Sequence, residues 1–186
     1  MLLLVGLGNP SPENENNRHN IGFKIINSIN KKFGLSKQKP KFKGLLTTGK
    51  IGNKKVYAIK PLTFMNNSGI CIRELMEYFK IDSEDVIVFH DDLDIDFGKI
   101  TAKFGGSSAG HNGIESIDKF IGKDYSRIRI GIGKPKSREN TTDHVLKDFD
   151  EEEMQQLEKI TTNITDSLSI LIDRKLDLFS STVNNK

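Results

Sequence analysis

The chain has 186 residues, of which 28% are charged and 35% hydrophobic, with a net charge of +3 and one cysteine. That is enough chain for a single globular domain with a core of its own, and one cysteine excludes an internal disulfide framework and suits a reducing cytosol. The only apolar run at the start, residues 2–5, is too short for a membrane span or a signal peptide. The expectation is a cytoplasmic protein, mature from Met1.

Taken in order, residues 2–7 form the kind of apolar run found in a strand buried on both faces. Ile21, Ile25, Ile29 and Phe33 then recur at helical spacing. They predict a helix over 20–33, capped by Asn20 and ended by Gly34. Between the two lies a polar, proline-broken loop that carries Asn9 and His19. Residues 37–43 read as a basic linker around Pro40, and 45–51 with 55–59 as a hairpin across Gly52-Asn53. A loop over 61–67 leads to a second helix, opened by Asn67 or Ser68 and burying Ile72, Leu75, Met76 and Phe79.

Residues 86–89 are the clearest buried strand, and they run into His90-Asp91-Asp92-Leu93-Asp94. A strand over 99–104 and a glycine–serine loop over 105–110 precede a helix that Asn112 can cap and that buries Ile114, Ile117 and Ile121. Arginine and isoleucine alternate over 126–132, a half-buried strand with Arg127 and Arg129 on one face. The acidic triplet 151–153 suits a helix start. From there Met154, Leu157, Ile160, Ile164, Leu168 and Leu171 sustain one long amphipathic helix, and 180–186 reads as a loose tail.

The small net charge hides a strong asymmetry. No acidic residue occurs from Asn16 to Arg73, while Arg18, Lys24, Lys41, Lys43, Lys60 and other cations crowd that span. A second basic run extends from Lys119 to Arg138, and the carboxylates gather in 74–96 and 148–158. A lysine run alone is usually a solvated face; a span this long without one carboxylate points to a polyanionic partner.

Several patterns fail on inspection. Gly6-x-Gly8 lacks the third glycine of a dinucleotide fingerprint. Asp92-x-Asp94-x-Asp96 has its glycine one place late for a calcium loop and Lys103 where the bidentate glutamate belongs. The four histidines show no close metal-ligand spacing, and Cys71 shares a helical face with Ile72 and Leu75, as a packing residue does. What remains is Asn9, His19, Asn66, Asp91 and Asn112, each in a segment that follows an apolar strand. A parallel-type sheet would bring them to one edge. A carboxylate can fix the tautomer of a histidine that takes a proton. With no nucleophile elbow of the G-x-S-x-G type, water is the expected nucleophile, and neutral amides can hold a carbonyl and its oxyanion.

Gly6-Leu7-Gly8-Asn9-Pro10, Arg18-His19-Asn20, Phe64-Met65-Asn66-x-Ser68-Gly69, His90-Asp91-Asp92-Leu93-Asp94, Gly110-His111-Asn112-Gly113 and the Arg127-to-Gly133 segment stand in that order. In this the chain resembles bacterial peptidyl-tRNA hydrolases. The resemblance implies a monomeric, single-domain α/β fold with a twisted, mixed, largely parallel central sheet flanked by helices, and no metal or cofactor. It implies hydrolysis of the ester between a peptide and the 3′-terminal ribose of tRNA. By position, His19 is the base that activates water and Asp91 orients it. Asn9 helps to distinguish a peptide from a free α-amino group. Phe64, Met65 and Asn66 line the site, Asn112 contacts substrate, and Lys103 and Arg129 are tRNA phosphate contacts. The chain departs from the family where Asn14 replaces tyrosine, Asn17 threonine and Ala109 glycine, and where Thr101 and Phe104 stand in place of common basic residues. The competing expectation is a non-catalytic RNA-binding protein on the same fold.

Overall fold

The computed structural model describes residues 1–136 and 140–186; Arg138, at the end of the second basic run, lies outside them. In chain order the elements are β1 (Leu2–Gly6), α1 (Ile21–Phe33), β2 (Lys39–Lys41), β3 (Gly44–Ile51), β4 (Lys54–Pro61), α2 (Ser68–Phe79) and β5 (Val86–Asp92). They continue with β6 (Ile100–Phe104), α3 (Asn112–Ile121), β7 (Ser126–Gly131), α4 (Thr141–Leu146), α5 (Glu151–Asp166), α6 (Leu168–Ile172) and α7 (Leu176–Asn184). The strands form one twisted mixed sheet in the order β2-β3-β4-β1-β5-β7-β6. The inner four, β4, β1, β5 and β7, are parallel; β2, β3 and β6 join antiparallel at the two sides.

Burial on both faces of β1 follows from its sequence. Leu2 and Leu4 enter the core shared with α1, α5, α6 and α7, and Leu3 and Val5 enter the one shared with α2 and α3. Connections from the carboxyl ends of the parallel strands therefore leave toward opposite faces, which opens a crevice at that edge. Helix α1 comes unusually close to β1, because a Cβ on Gly6 would fall on the carbonyl of Gly22, and one on Gly22 would fall on Leu7. That approach brings the residues just before α1, including His19, down to the strand end.

The hairpin across Gly52-Asn53, the left-handed Gly34 after α1 (φ 59°) and the acidic start of α5 match their sequence patterns. Asp150 and Glu153 complete a capping box there. Other expectations are corrected. The basic linker around Pro40 is strand β2, placed at the sheet edge where proline costs no ladder hydrogen bond on its open side. Neither Asn20 nor Asn112 caps a helix through its side chain; Asn20 is bonded to Asn9, and the α3 cap is His111. Arg127 is 2% exposed, so β7 is buried on both faces rather than half-buried, its guanidinium held by Asp118 at 2.8 Å and the Ser107 carbonyl at 3.0 Å.

The single long helix is two, α5 and α6, broken at Ser167. The tail is not loose. Of the expected 180–186, residues 180–184 belong to helix α7, which has Phe179 and Val183 buried and packs on β6. Ser180 Oγ accepts from the Ala102 N–H at 2.8 Å, and the Asn184 amide both accepts from the Ile100 N–H and donates to its carbonyl. These side chains occupy backbone groups that an edge strand otherwise leaves open.

Candidate active site

Asp91, on β5, is 2% exposed and receives two imidazoles. His19 Nδ1 lies 2.8 and 2.9 Å from its two carboxylate oxygens, and His111 Nε2 lies 2.9 Å from Oδ1. His111 Nδ1 accepts from the backbone N–H of Gly113 and Ile114, so its proton is on Nε2 and is donated to Asp91. A carboxylate accepts only, so His19 likewise gives it an Nδ1 proton and keeps Nε2 as a lone pair. That lone pair can accept a proton. His19, Asp91 and His111 line an open cleft of about 210 Å³ with Leu93, Asn112 and Thr141.

Electrostatics favour the same division of labour. Burial opposes the charge on Asp91, but the two histidines and their hydrogen bonds outweigh it and hold the carboxyl well below its ordinary range. Burial also pulls His19 down, and the charge and hydrogen bond of Asp91 more than offset it, leaving the imidazole more basic than usual. His90 sits next in the strand, its ring edge-on to His111 at 4.9 Å, with Nδ1 donating to the Asp91 carbonyl. Burial, then His111, depresses it to about 3, so it stays neutral and adds no charge beside the cleft. Cys71 is buried, its thiol pushed up to about 12, as a packing residue would be.

The ligand atoms of His19, Asp91 and His111 lie within 4.8 Å of one another, a spacing that could suggest a metal. The atoms that meet are nitrogen and oxygen at hydrogen-bond distance, with a proton on each nitrogen. The His111 tautomer is fixed by two helix N–H groups. The cluster is built to orient imidazoles.

The sequence-predicted residues divide into groups. His19, Asp91 and Asn112 share the cleft, Asn112 exposed on its rim. Asn9 is tied by its backbone to the Asn20 side chain, and its Oδ1 accepts from the Met65 N–H at 2.9 Å, which joins the β1 and β4 loops. Met65 is buried against Gly113, while Phe64 (φ 59°, 55% exposed) and Asn66 stand in solvent. None of these four lines the cleft itself. Arg129 is not free, since its Nε holds Asp92 at 2.8 Å, which leaves the two Nη groups for an anion. Lys103 is exposed on β6 with its ammonium against Gly106.

The departures from the family pattern resolve locally. Asn17 donates to Asn14 Oδ1 at 2.8 Å, so the two replacements pair with each other. Ala109 adopts φ 48°, the left-handed conformation that glycine takes without strain. Arg18 anchors the histidine loop to the far segment through Glu153 at 3.0 Å.

Residues that sequence reasoning missed are His111 and, from α4, Thr141, Thr142 and Val145. The available signal for His111 was its place immediately before a helix and beside Asn112. Replacing His111 by asparagine keeps a capping acceptor for α3 but ends the reach to Asp91. Stability should fall by roughly 1–3 kcal/mol because buried Asp91 loses a donor, and kcat should fall on the order of tenfold with the loss of that charge-assisted hydrogen bond. Asp91 would then pull harder on the His19 proton, so the acid limb of the pH–rate profile should move to higher pH. His111→Ala should add about 1 kcal/mol of destabilisation from the lost cap. A His111→Asn enzyme with an unaltered rate and profile would mean that His111 serves the helix alone.

Comparison with known proteins agrees with this geometry. The family model described as peptidyl-tRNA hydrolase matches residues 3–186. A peptidyl-tRNA hydrolase of Pelagibacter ubique is 81% identical over the whole of both chains. One of Bacillus subtilis is 46% identical over 86% of this chain and 85% of its own. Among solved structures, peptidyl-tRNA hydrolase from Acinetobacter baumannii superposes with a TM-score of 0.92 at 32% identity, covering 99% of this chain and 94% of that one.

Proposed function

The chain belongs to the peptidyl-tRNA hydrolase family and is an ester hydrolase; from that premise we propose that His19 is its general base, oriented by Asp91, with tRNA bound alongside. The observation that carries the assignment is the Nδ1–Asp91 contact at 2.8 Å, which leaves Nε2 unprotonated at the cleft. A water there gives a proton to His19 Nε2 as its oxygen attacks the ester carbonyl. The tetrahedral intermediate collapses, the bond to the ribose oxygen breaks, and that oxygen takes the proton back from the imidazolium.

The oxyanion needs a donor. His111 Nδ1 occupies the Gly113 and Ile114 N–H groups of α3, and the side-chain amide of Asn112 on the rim is the proposed donor. Asn9, Phe64, Met65 and Asn66 adjoin the cleft as the surface met by the acyl group. Lys103 and the Nη groups of Arg129 are the proposed phosphate contacts, supported by the carboxylate-free span of the sequence. Monomeric action in the cytoplasm belongs to the same reading; no helix among the described residues is long and apolar enough to cross a membrane.

The test is release of the acyl group from N-acetyl-aminoacyl-tRNA, with deacylated tRNA as competitor. Cleavage inhibited by tRNA at low salt, and progressively less at higher salt, is the expected result. Cleavage indifferent to tRNA at every salt concentration would remove the RNA from the proposal.

A further inference from the structure

A second cavity, about 320 Å³, opens at the ends of β1 and β4, lined in part by Asn9, Glu15, Phe23, Lys24, Asn27 and Lys60. It shares no lining residue with the cleft at His19. Lys60 is the unusual member, a lysine that is only 8% exposed. Its ammonium donates to Asn27 Oδ1 at 2.7 Å and lies 5.6 Å over the Phe23 ring. Both partners are neutral. Lys24, beside it, donates to another neutral oxygen, Asn16 Oδ1 at 2.9 Å.

Glu15 is the acidic residue on the wall, and among the described residues no ion pair joins it to either lysine. Glu15 acts through space on both lysines and Asp148 on Lys24, so Lys60 has Glu15 as its nearby carboxylate and no ion pair with it. A charge taken out of water is costly unless it is paired, and burial lowers the pKa of both lysines. Lys60 therefore holds a buried charge against a neutral oxygen, with no carboxylate in contact.

Its position suggests which anion would pair with it. Along the sheet the proposed RNA cations lie on β7 and β6, the chemistry at β5 and β1, and Lys60 at the end of β4. A substrate whose RNA lies to the β7 side directs its acyl chain the other way, past Asn9, which lines the cavity. We propose that this cavity is a subsite for the acidic side chain of a peptide residue upstream of the esterified one, its carboxylate taken by Lys60. The assignment rests on the proposed function and adds to it a preference among peptides.

The experiment compares kcat/KM for acetyl-dipeptidyl- and acetyl-tripeptidyl-tRNAs that differ only by Asp against Asn, or Glu against Gln, upstream of the ester. Wild type should prefer the acid by about tenfold, the scale of a charge-assisted hydrogen bond. Lys60→Met should bring the ratio to near one, and Glu15→Gln, which removes the repelling carboxylate, should widen it. Each ratio is taken within one protein, so a general loss of activity cancels. A wild-type ratio near one, or a preference that survives Lys60→Met, overturns the subsite. Weaker inhibition by deacylated tRNA in Lys60→Met, with no acid preference in wild type, would assign the cavity to an RNA phosphate instead. Hydrolysis of N-acetyl-aminoacyl-tRNA, which carries no upstream side chain, reports on the proposed function separately.

Discussion

His19→Ala should lower kcat by ~10²–10⁴-fold, the usual contribution of a general base, and leave affinity for deacylated tRNA at the wild-type value. The affinity should hold because the imidazole lies in the cleft while the proposed phosphate contacts are on β6 and β7. The substitution has a structural cost as well. Asp91 would lose the donor that spans both its oxygens and keep only His111, leaving a buried carboxylate short of a partner at roughly 1–3 kcal/mol. His19→Asn restores an N–H toward Asp91 without restoring a base. If both variants lose rate alike while the asparagine regains stability, chemistry and packing are separated. A His19→Ala protein that cleaves at the wild-type rate would end the mechanism.

Wild-type activity should fall as pH drops through the His19 pKa, which lies above the ordinary 6.5. Stability follows the opposite sign at this residue. A histidine whose folded pKa is raised stabilises the fold at pH below its unfolded value, and that contribution fades as pH rises through the folded one. His90, depressed to about 3, works against it. The unfolded chain takes up the His90 proton first, so stability is lost as pH falls from the region of 6.5 toward 3. Asp91, held low, adds a further loss as the solution becomes acid enough to protonate it in the unfolded chain.

What could be read from the sequence was what local chemistry decides. The uniformly apolar β1, the Gly52-Asn53 hairpin, the acidic start of α5 and the residues at the strand ends all carry their reasons within a few positions. Where the reason is distant, the reading failed. Asn20 and Asn112 are good capping residues by type, but one is claimed by Asn9 and the other is displaced by an imidazole. The C-terminal apolar pattern runs on through Leu168 and Leu171, and nothing local marks the break at Ser167. Residues 180–184 look like a tail until β6 supplies an edge for Ser180 and Asn184 to satisfy. His111 and Asp91 are twenty positions apart. Only the sheet order, which puts the end of β5 beside that of β1, makes Asp91 the common partner of two imidazoles.

That shared carboxylate makes Asp91→Asn the second severe substitution, for a reason that concerns tautomers rather than charge alone. An asparagine has one carbonyl oxygen where the aspartate had two acceptors. His111 keeps its proton on Nε2 because Gly113 and Ile114 hold its other nitrogen, so it claims that oxygen. The amide NH₂ then faces His19 Nδ1, which can meet it only by accepting. The His19 proton moves to Nε2, and the nitrogen turned toward water has no lone pair to receive a proton. The corresponding change in a Ser-His-Asp triad costs about 10⁴-fold, and here kcat should fall by ~10²–10⁴-fold. Without the carboxylate the burial of His19 is unopposed, so its pKa drops and the acid limb of the residual activity should move to lower pH. Raising the pH should not recover the rate, because the imidazole is already neutral and merely protonated on the wrong nitrogen. Full recovery at high pH would show that Asp91 acts by its charge and leaves the tautomer of His19 unaffected.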